Sequence, residues 1–183
     1  MCLVRLRKLL GHSDVVVVRD EQVGMNRELC WVDAWAFADM VEMVDAGDET
    51  PLALARLGQH ALELYRGALL PGDEEDRTLI VARLKLRDQL ARLVAALGQQ
   101  MEAAGNWDQA IACYRRGIAA DELAEEFYQG MMRCYAATGR SAEGIAVYRR
   151  LRQTLSVVLG LKPSTRTEQL AQLLRDESAG PGS

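Results

Sequence analysis

The side chains best equipped for chemistry are an acidic run, Asp73, Glu74, Glu75 and Asp76, together with four cysteines and two histidines. Neighbouring carboxylates can hold a cation or divide acid and base roles between them. A run of adjacent acids on a connecting segment more simply supplies solvated charge ahead of a helix, where the N-terminal dipole favours it. Cys2, Cys30, Cys113 and Cys134 stand far apart with no CxxC pair, and only His12 and His60 could assist a metal. No Walker-type glycine loop, HExxH, GxSxG or zinc-type cysteine set occurs. The expectation is a protein with no catalytic residue, no metal and no cofactor. Its cysteines are small buried thiols of a reducing cytoplasm.

Composition agrees with a globular chain: of 183 residues, 49% are hydrophobic and 26% charged, enough for one domain with a real core or two small ones. No apolar run approaches the roughly 20 residues that span a bilayer, and the start "MCLVRLRKLL" lacks a signal-peptide core, so no membrane role is expected. The net charge of −4 conceals an uneven layout. Residues 34–76 carry ten acids against two bases, whereas 77–183 carry fifteen bases against eleven acids. Arg5, Arg7 and Lys8 form a local basic cluster with no acid in the first twelve residues.

The elements that position these groups follow from periodicity. "LVRLRKLL" (3–10) reads as a short helix with Leu3, Leu6 and Leu10 on one face, ended by Gly11. "DVVVVRDEQVGMN" reads as a hairpin turning over residues 19–22, and "LCWV" (29–32) as a further short strand. Asp33 reads as the N-cap of a helix to about Asp45, and a second helix covers 52–66 until Pro71-Gly72 breaks the pattern. From Arg77 to Ala104 the pattern allows one long helix or two abutting ones. Helices then run to about Ala119, from an Asp121 N-cap to Thr138, and from a Ser141 N-cap to about Leu159. Thr165 with Glu168 makes a capping-box pattern for the last helix.

Two stretches in this region match at a fixed offset of 34 residues. "GNWDQAIACYRRG" (105–117) returns as "GRSAEGIAVYRRL" (139–151). A helix pair cannot bury its apolar face alone, so stacking pairs must preserve a few steric features. Gly105 and Gly139 let the chain reverse, Ala110 and Gly144 admit a close crossing, and Tyr114 and Tyr148 plug the gap one turn later. Leu97 pairs with Met131, and Met101 with Tyr135, at the same period. The period is that of the tetratricopeptide repeat. The fold expected is all-α: a right-handed stack of antiparallel helix pairs behind a small helix and β-hairpin. The paired arginines 115–116 and 149–150 read as solvated surface charge.

"YRGALLPG", "ARLKLRDQLARLV" and above all "MMRCYAATGRSAEGIAVYRRLR" followed by "LGLKPSTRTEQL" resemble the bacterial transcriptional activator domain of antibiotic-regulatory and MalT-like regulators. In that family the module follows a winged helix of the OmpR type, and "LVRLRKLLG" and "DVVVVRDEQVGMN" are similar to its recognition-helix end and wing. The resemblance implies a partial winged helix at 1–32, an activator domain at 33–176 and a disordered tail at 177–183. It further implies contacts of Arg5, Arg7, Lys8 and Arg19 with DNA phosphates in the full-length regulator. Protein partners such as RNA polymerase or upstream domains, and a homodimer, belong to the same expectation. Since the winged-helix pattern begins within its recognition helix, the chain is expected to be a fragment of a longer regulator with impaired DNA binding. Glu122 and Gly144 depart from the family's usual proline and alanine. The competing expectation is a free-standing repeat adaptor that captures a peptide without any DNA role.

Overall fold

A computed structural model describes residues 2–19, 22–48, 50–70, 72 and 77–179. The hairpin tip at Asp20 and Glu21, Pro71, the acidic run 73–76 and the tail 180–183 fall outside the described residues, as does the side chain of Arg19. The described part holds a short helix α1 (Cys2–Leu9), an antiparallel pair β1 (Val16–Arg19) and β2 (Gln22–Met25), and seven further helices. These are α2 (Asp33–Ala46), α3 (Pro51–Leu64), α4 (Arg77–Ala103), α5 (Trp107–Ala120), α6 (Glu125–Ala137), α7 (Ser141–Leu159) and α8 (Thr165–Ala179).

The helices form a tetratricopeptide-like stack. Each of α2/α3, α4/α5 and α6/α7 is an antiparallel pair, with α8 closing the end. The first helices of the pairs touch in one row, α2 to α4 to α6 to α8, while α3, α5 and α7 each pack on the first helix of the next pair. The 34-residue period is visible in backbone hydrogen bonds. The Asn106 N–H donates to the Met101 carbonyl at 2.9 Å and, 34 residues on, the Arg140 N–H donates to the Tyr135 carbonyl at 2.8 Å. The glycines between them, Gly105 and Gly139, sit at φ 72° and 67°. This is the left-handed closure that favours glycine and pairs off the orphan carbonyls of a helix end.

Close approach of the rows depends on small residues inside helices. A Cβ on Gly98 or on Gly130 would lie 2.4 Å from the Tyr114 ring, on α4 and α6 respectively, so the tyrosine is held between two bare backbones. Ala110 is fully buried. A Cβ on Gly144 would come within 2.7 Å of Leu174 on α8, so the leucine occupies the space a methyl would take. The departure from alanine at that position is thereby matched by a neighbour.

Several boundaries differ from the sequence reading, each through a local hydrogen bond. Residues 29–32 are not a strand: the Asn26 side chain accepts from the Glu28 N–H at 3.0 Å and its carbonyl from the Cys30 N–H at 3.0 Å, which curls the chain. Helix α6 starts at Glu125, because Asp121 accepts from the Leu123 N–H at 3.1 Å in a tight turn. The N-cap positions are Val32 for α2 and Arg140 for α7, one residue before those expected. Ser141 is buried inside α7 and donates to Glu177 at 3.0 Å. Residues 177–179 thus extend α8 rather than begin the tail. Residues 77–103 form a single helix.

Replacing Gly98 or Gly130 by alanine is expected to cost about 2–3 kcal/mol through overpacking against a ring that has no free side. Gly144→Ala should cost much less, because Leu174 meets it with the mobile end of its side chain. Urea midpoints of the three variants would check this order.

Candidate interaction surfaces

The N-terminal basic cluster divides on folding. Arg5 and Lys8 are exposed on α1. Arg7 is half-buried, and its guanidinium donates to the Val16 carbonyl at 2.7 and 3.2 Å, tying α1 to β1. Arg19 belongs to β1 opposite Gln22. The apolar side chains around them are bare: Leu9 is 83% exposed and Val4, Leu6 and Leu10 are also exposed, with Val18 and Val23 on the hairpin. The expected inward face of Leu3, Leu6 and Leu10 thus has little to pack on.

The six repeat-packing positions lie inside the stack or at its turns, where they support a surface without forming one. Tyr114 and Tyr148 are both buried, and both hydroxyls donate to a carboxylate. Their acceptors differ. Tyr114 on α5 reaches back to Glu102 on α4, whereas Tyr148 on α7 reaches forward to Glu168 on α8 at 2.8 Å. Glu102 also receives both arms of Arg133, at 2.8 and 3.0 Å, so one carboxylate joins α4, α5 and α6. Burial, the hydrogen bond and the adjoining negative charge raise the Tyr114 pKa. The bond to Glu102 raises that of Arg133.

A second polar clamp explains the "KPST" segment. Glu125, at the start of α6, accepts from the Thr167 hydroxyl at 2.6 Å, the Ser164 hydroxyl at 2.8 Å and the Ser164 N–H at 3.1 Å. Gln129 donates to the Thr167 hydroxyl oxygen at 2.9 Å, and Thr167 is fully buried. Ser164, not Thr165, occupies the cap position of α8, its hydroxyl and carbonyl taking the N–H groups of Thr167 and Glu168. The Glu168 side chain is left for Tyr148. Burial alone would raise the Glu125 pKa, but the hydrogen bonds outweigh it and hold the carboxyl below its ordinary 4.5. Neither clamp stood out in the sequence, since Glu102 meets Arg133 from 31 positions away and Glu125 meets Ser164 and Thr167 from 39 and 42; the Ser-Thr-x-Thr spacing was the one trace of the second.

Two concave regions flank the segment after α3. A cleft of about 590 Å³ is lined by Phe37, Leu64, Tyr65, Leu69 and Leu86, with Asp33 at its edge. A smaller one of about 340 Å³ lies between this segment and Arg83, Arg87 and Ala120. Arg83 fixes the segment by donating to the Leu69 carbonyl at 2.7 Å and to that of Leu70. Arg116 likewise donates to the Leu62 carbonyl near the end of α3, so one of the paired arginines holds the fold. Cys113 and Cys134 are buried thiols whose pKa values burial pushes to about 11 and 12. Among the described residues no group of three or more potential metal ligands comes together, and no helix is long and apolar enough to cross a membrane.

The model of the bacterial transcriptional activator domain matches residues 32–175. The chain belongs to this family. The activator domain and the preceding helix and hairpin share their fold with EmbR of Mycobacterium tuberculosis, solved in complex with a low-affinity phosphopeptide. The two are 21% identical with a TM-score of 0.66, over 95% of this chain and 48% of that one. The chain therefore spans about half the length of EmbR, and at this identity the likeness is one of fold. No curated protein matches the chain.

Glu125→Gln is expected to cost the activator domain about 1–3 kcal/mol at neutral pH, by removing charge from three hydrogen bonds. A carboxylate with a lowered folded pKa stabilises above the unfolded value and loses that contribution as pH falls through the folded one. The difference between wild type and variant should therefore shrink below pH 4.5. Urea unfolding at pH 7 and at about pH 3 measures it.

Proposed function

We propose that this activator domain is the protein-contact module of a bacterial transcriptional regulator, working beside a DNA-contacting end made by α1 and the hairpin. The family supplies the link to transcription. The observation that carries the arrangement is the junction itself: a rigid stack of helix pairs begins eight residues after a hairpin whose companion helix exposes Arg5 and Lys8. Stacks of this kind hold partners against their curved faces. The partner classes that fit are transcription machinery, other domains of the same regulator and a second copy of the chain. Work inside the cell, without catalysis, follows from the same role. The alternative, a repeat adaptor that binds a peptide and has no DNA role, is favoured by the apolar cleft beside Phe37 and Tyr65.

On the DNA side, Arg5 and Lys8 are the described cations free to meet phosphates, with Arg19 proposed to join them from the hairpin. Arg7 serves mainly to orient α1. So few contacts give weak, sequence-independent binding, with Kd on the order of 10⁻⁴–10⁻⁶ M near physiological salt. Fluorescence anisotropy with duplex DNA over a salt series should show this weak affinity, and Arg5→Ala with Lys8→Ala should flatten the salt slope by about 2. Tight binding to one DNA sequence would refute the reading, and a complete lack of DNA affinity would favour the adaptor.

A further inference from the structure

The segment 144–167 carries five basic residues and no acid. It covers most of α7 and the turn into α8. Among the described residues, Arg149, Arg150 and Arg152 are exposed and make no ion pair with any carboxylate. At helical spacing, Arg149 and Arg150 lead through Gln153 to Val157 on one stripe. Val157 is 77% exposed, and Val158, Leu159 and Leu161 beside it are exposed too. An apolar centre with a charged rim is the anatomy of a protein interface rather than of a phosphate site, which would leave the valines and leucines unused.

The opposite end of the stack has the complementary character. Residues 33–64, which include α2 and α3, hold seven carboxylates against one arginine. On the outer stripe of α2, Asp39, Glu42 and Met43 are exposed together. Asp39 pairs with Arg27 and Asp45 with Arg92, while Glu42 makes no ion pair among the described residues. Glu42 beside Met43 is thus an acid next to an apolar side chain, the counterpart of Arg150 and Val157.

We propose that these two ends meet between copies of the chain: the α7 stripe of one molecule takes the α2 stripe of the next. The two patches differ, so the contact is heterologous, and association runs head to tail into a ring or a short open series rather than stopping at a symmetric dimer. Charge complementarity sets the register, and the apolar centres supply the contact area. The inference rests on the protein-contact reading above and specifies its self-association; DNA binding, proposed for α1 and the hairpin, is separate and is read out separately.

Sedimentation velocity on the whole chain, from micromolar to sub-millimolar concentration, tests it. The expected result is a sedimentation coefficient that rises with concentration at low salt. The apparent dissociation constant should weaken about tenfold or more at high salt. Arg149→Glu with Arg150→Glu should abolish the rise, as should Glu42→Lys with Met43→Lys, and mixing the two variants should restore it. Val157→Ser, at a side chain that supports no core, guards against a folding artefact and should weaken association with an unchanged helical circular-dichroism spectrum. A chain that stays monomeric at every concentration overturns the proposal. So does association that both charge reversals leave intact, and so does a monomer whose α7 surface binds polyglutamate or DNA instead.

Discussion

The structure depends on how closely α4 and α6 approach either side of one aromatic ring. Tyr114 is seated between Gly98 and Gly130, and neither position has room for a methyl group. Glycine inside a helix costs about 0.5–1 kcal/mol relative to alanine, so these residues weaken the helices that carry them. The loss is offset where the two helices and the tyrosine pack into one layer. The same arrangement appears in lesser form along the stack, with Gly58 against Leu97 and Gly117 against Phe127. Bulky side chains set into bare backbone fix the spacing between pairs.

Apolar packing alone would let neighbouring pairs slide. Two half-buried carboxylates oppose it. Glu102 can receive Tyr114 and Arg133 in one relative position of α4, α5 and α6. Glu125 can receive Ser164 and Thr167 in one position of α6 and α8. A half-buried carboxylate that loses its hydrogen-bond partners regains only part of its solvation, so a shift of one helix along another is unfavourable. One clamp ties α4 to α6 and the other α6 to α8, and the Tyr114 and Tyr148 hydroxyls tie α5 and α7 to that row. The exposed stripe of α7 is therefore presented by a tied set of helices.

Much of this was legible from spacing. The 34-residue offset located the turns at Gly105 and Gly139, the pairing of helices and the buried tyrosines, because each requirement recurs at the same step and leaves the same residue type. The family resemblance rested on the tail motif, which the Glu125 clamp now explains in physical terms. What spacing missed is non-local or a matter of one hydrogen bond. Asn26 and Asp121 each offered a side-chain acceptor that diverted the backbone, which a propensity for strand or helix does not register. Ser164 displaced Thr165 as cap because its hydroxyl and carbonyl face the first N–H groups of α8. Arg116 looked like surface charge because its acceptor, the carbonyl of Leu62, lies 54 positions earlier in the chain.

The order of contacts along the rows also bears on how the molecule is made. Every major helix contact joins neighbours in sequence or elements two apart, and none links the ends of the chain. The loops that must close are short, so their entropic cost is modest and is met step by step. A polypeptide leaving the ribosome can therefore add one hairpin at a time to the portion already assembled, with Tyr114 finding its seat as soon as Gly130 has emerged. Synthesis and assembly can proceed in the same direction, and the apolar edge left waiting at any moment is that of a single pair.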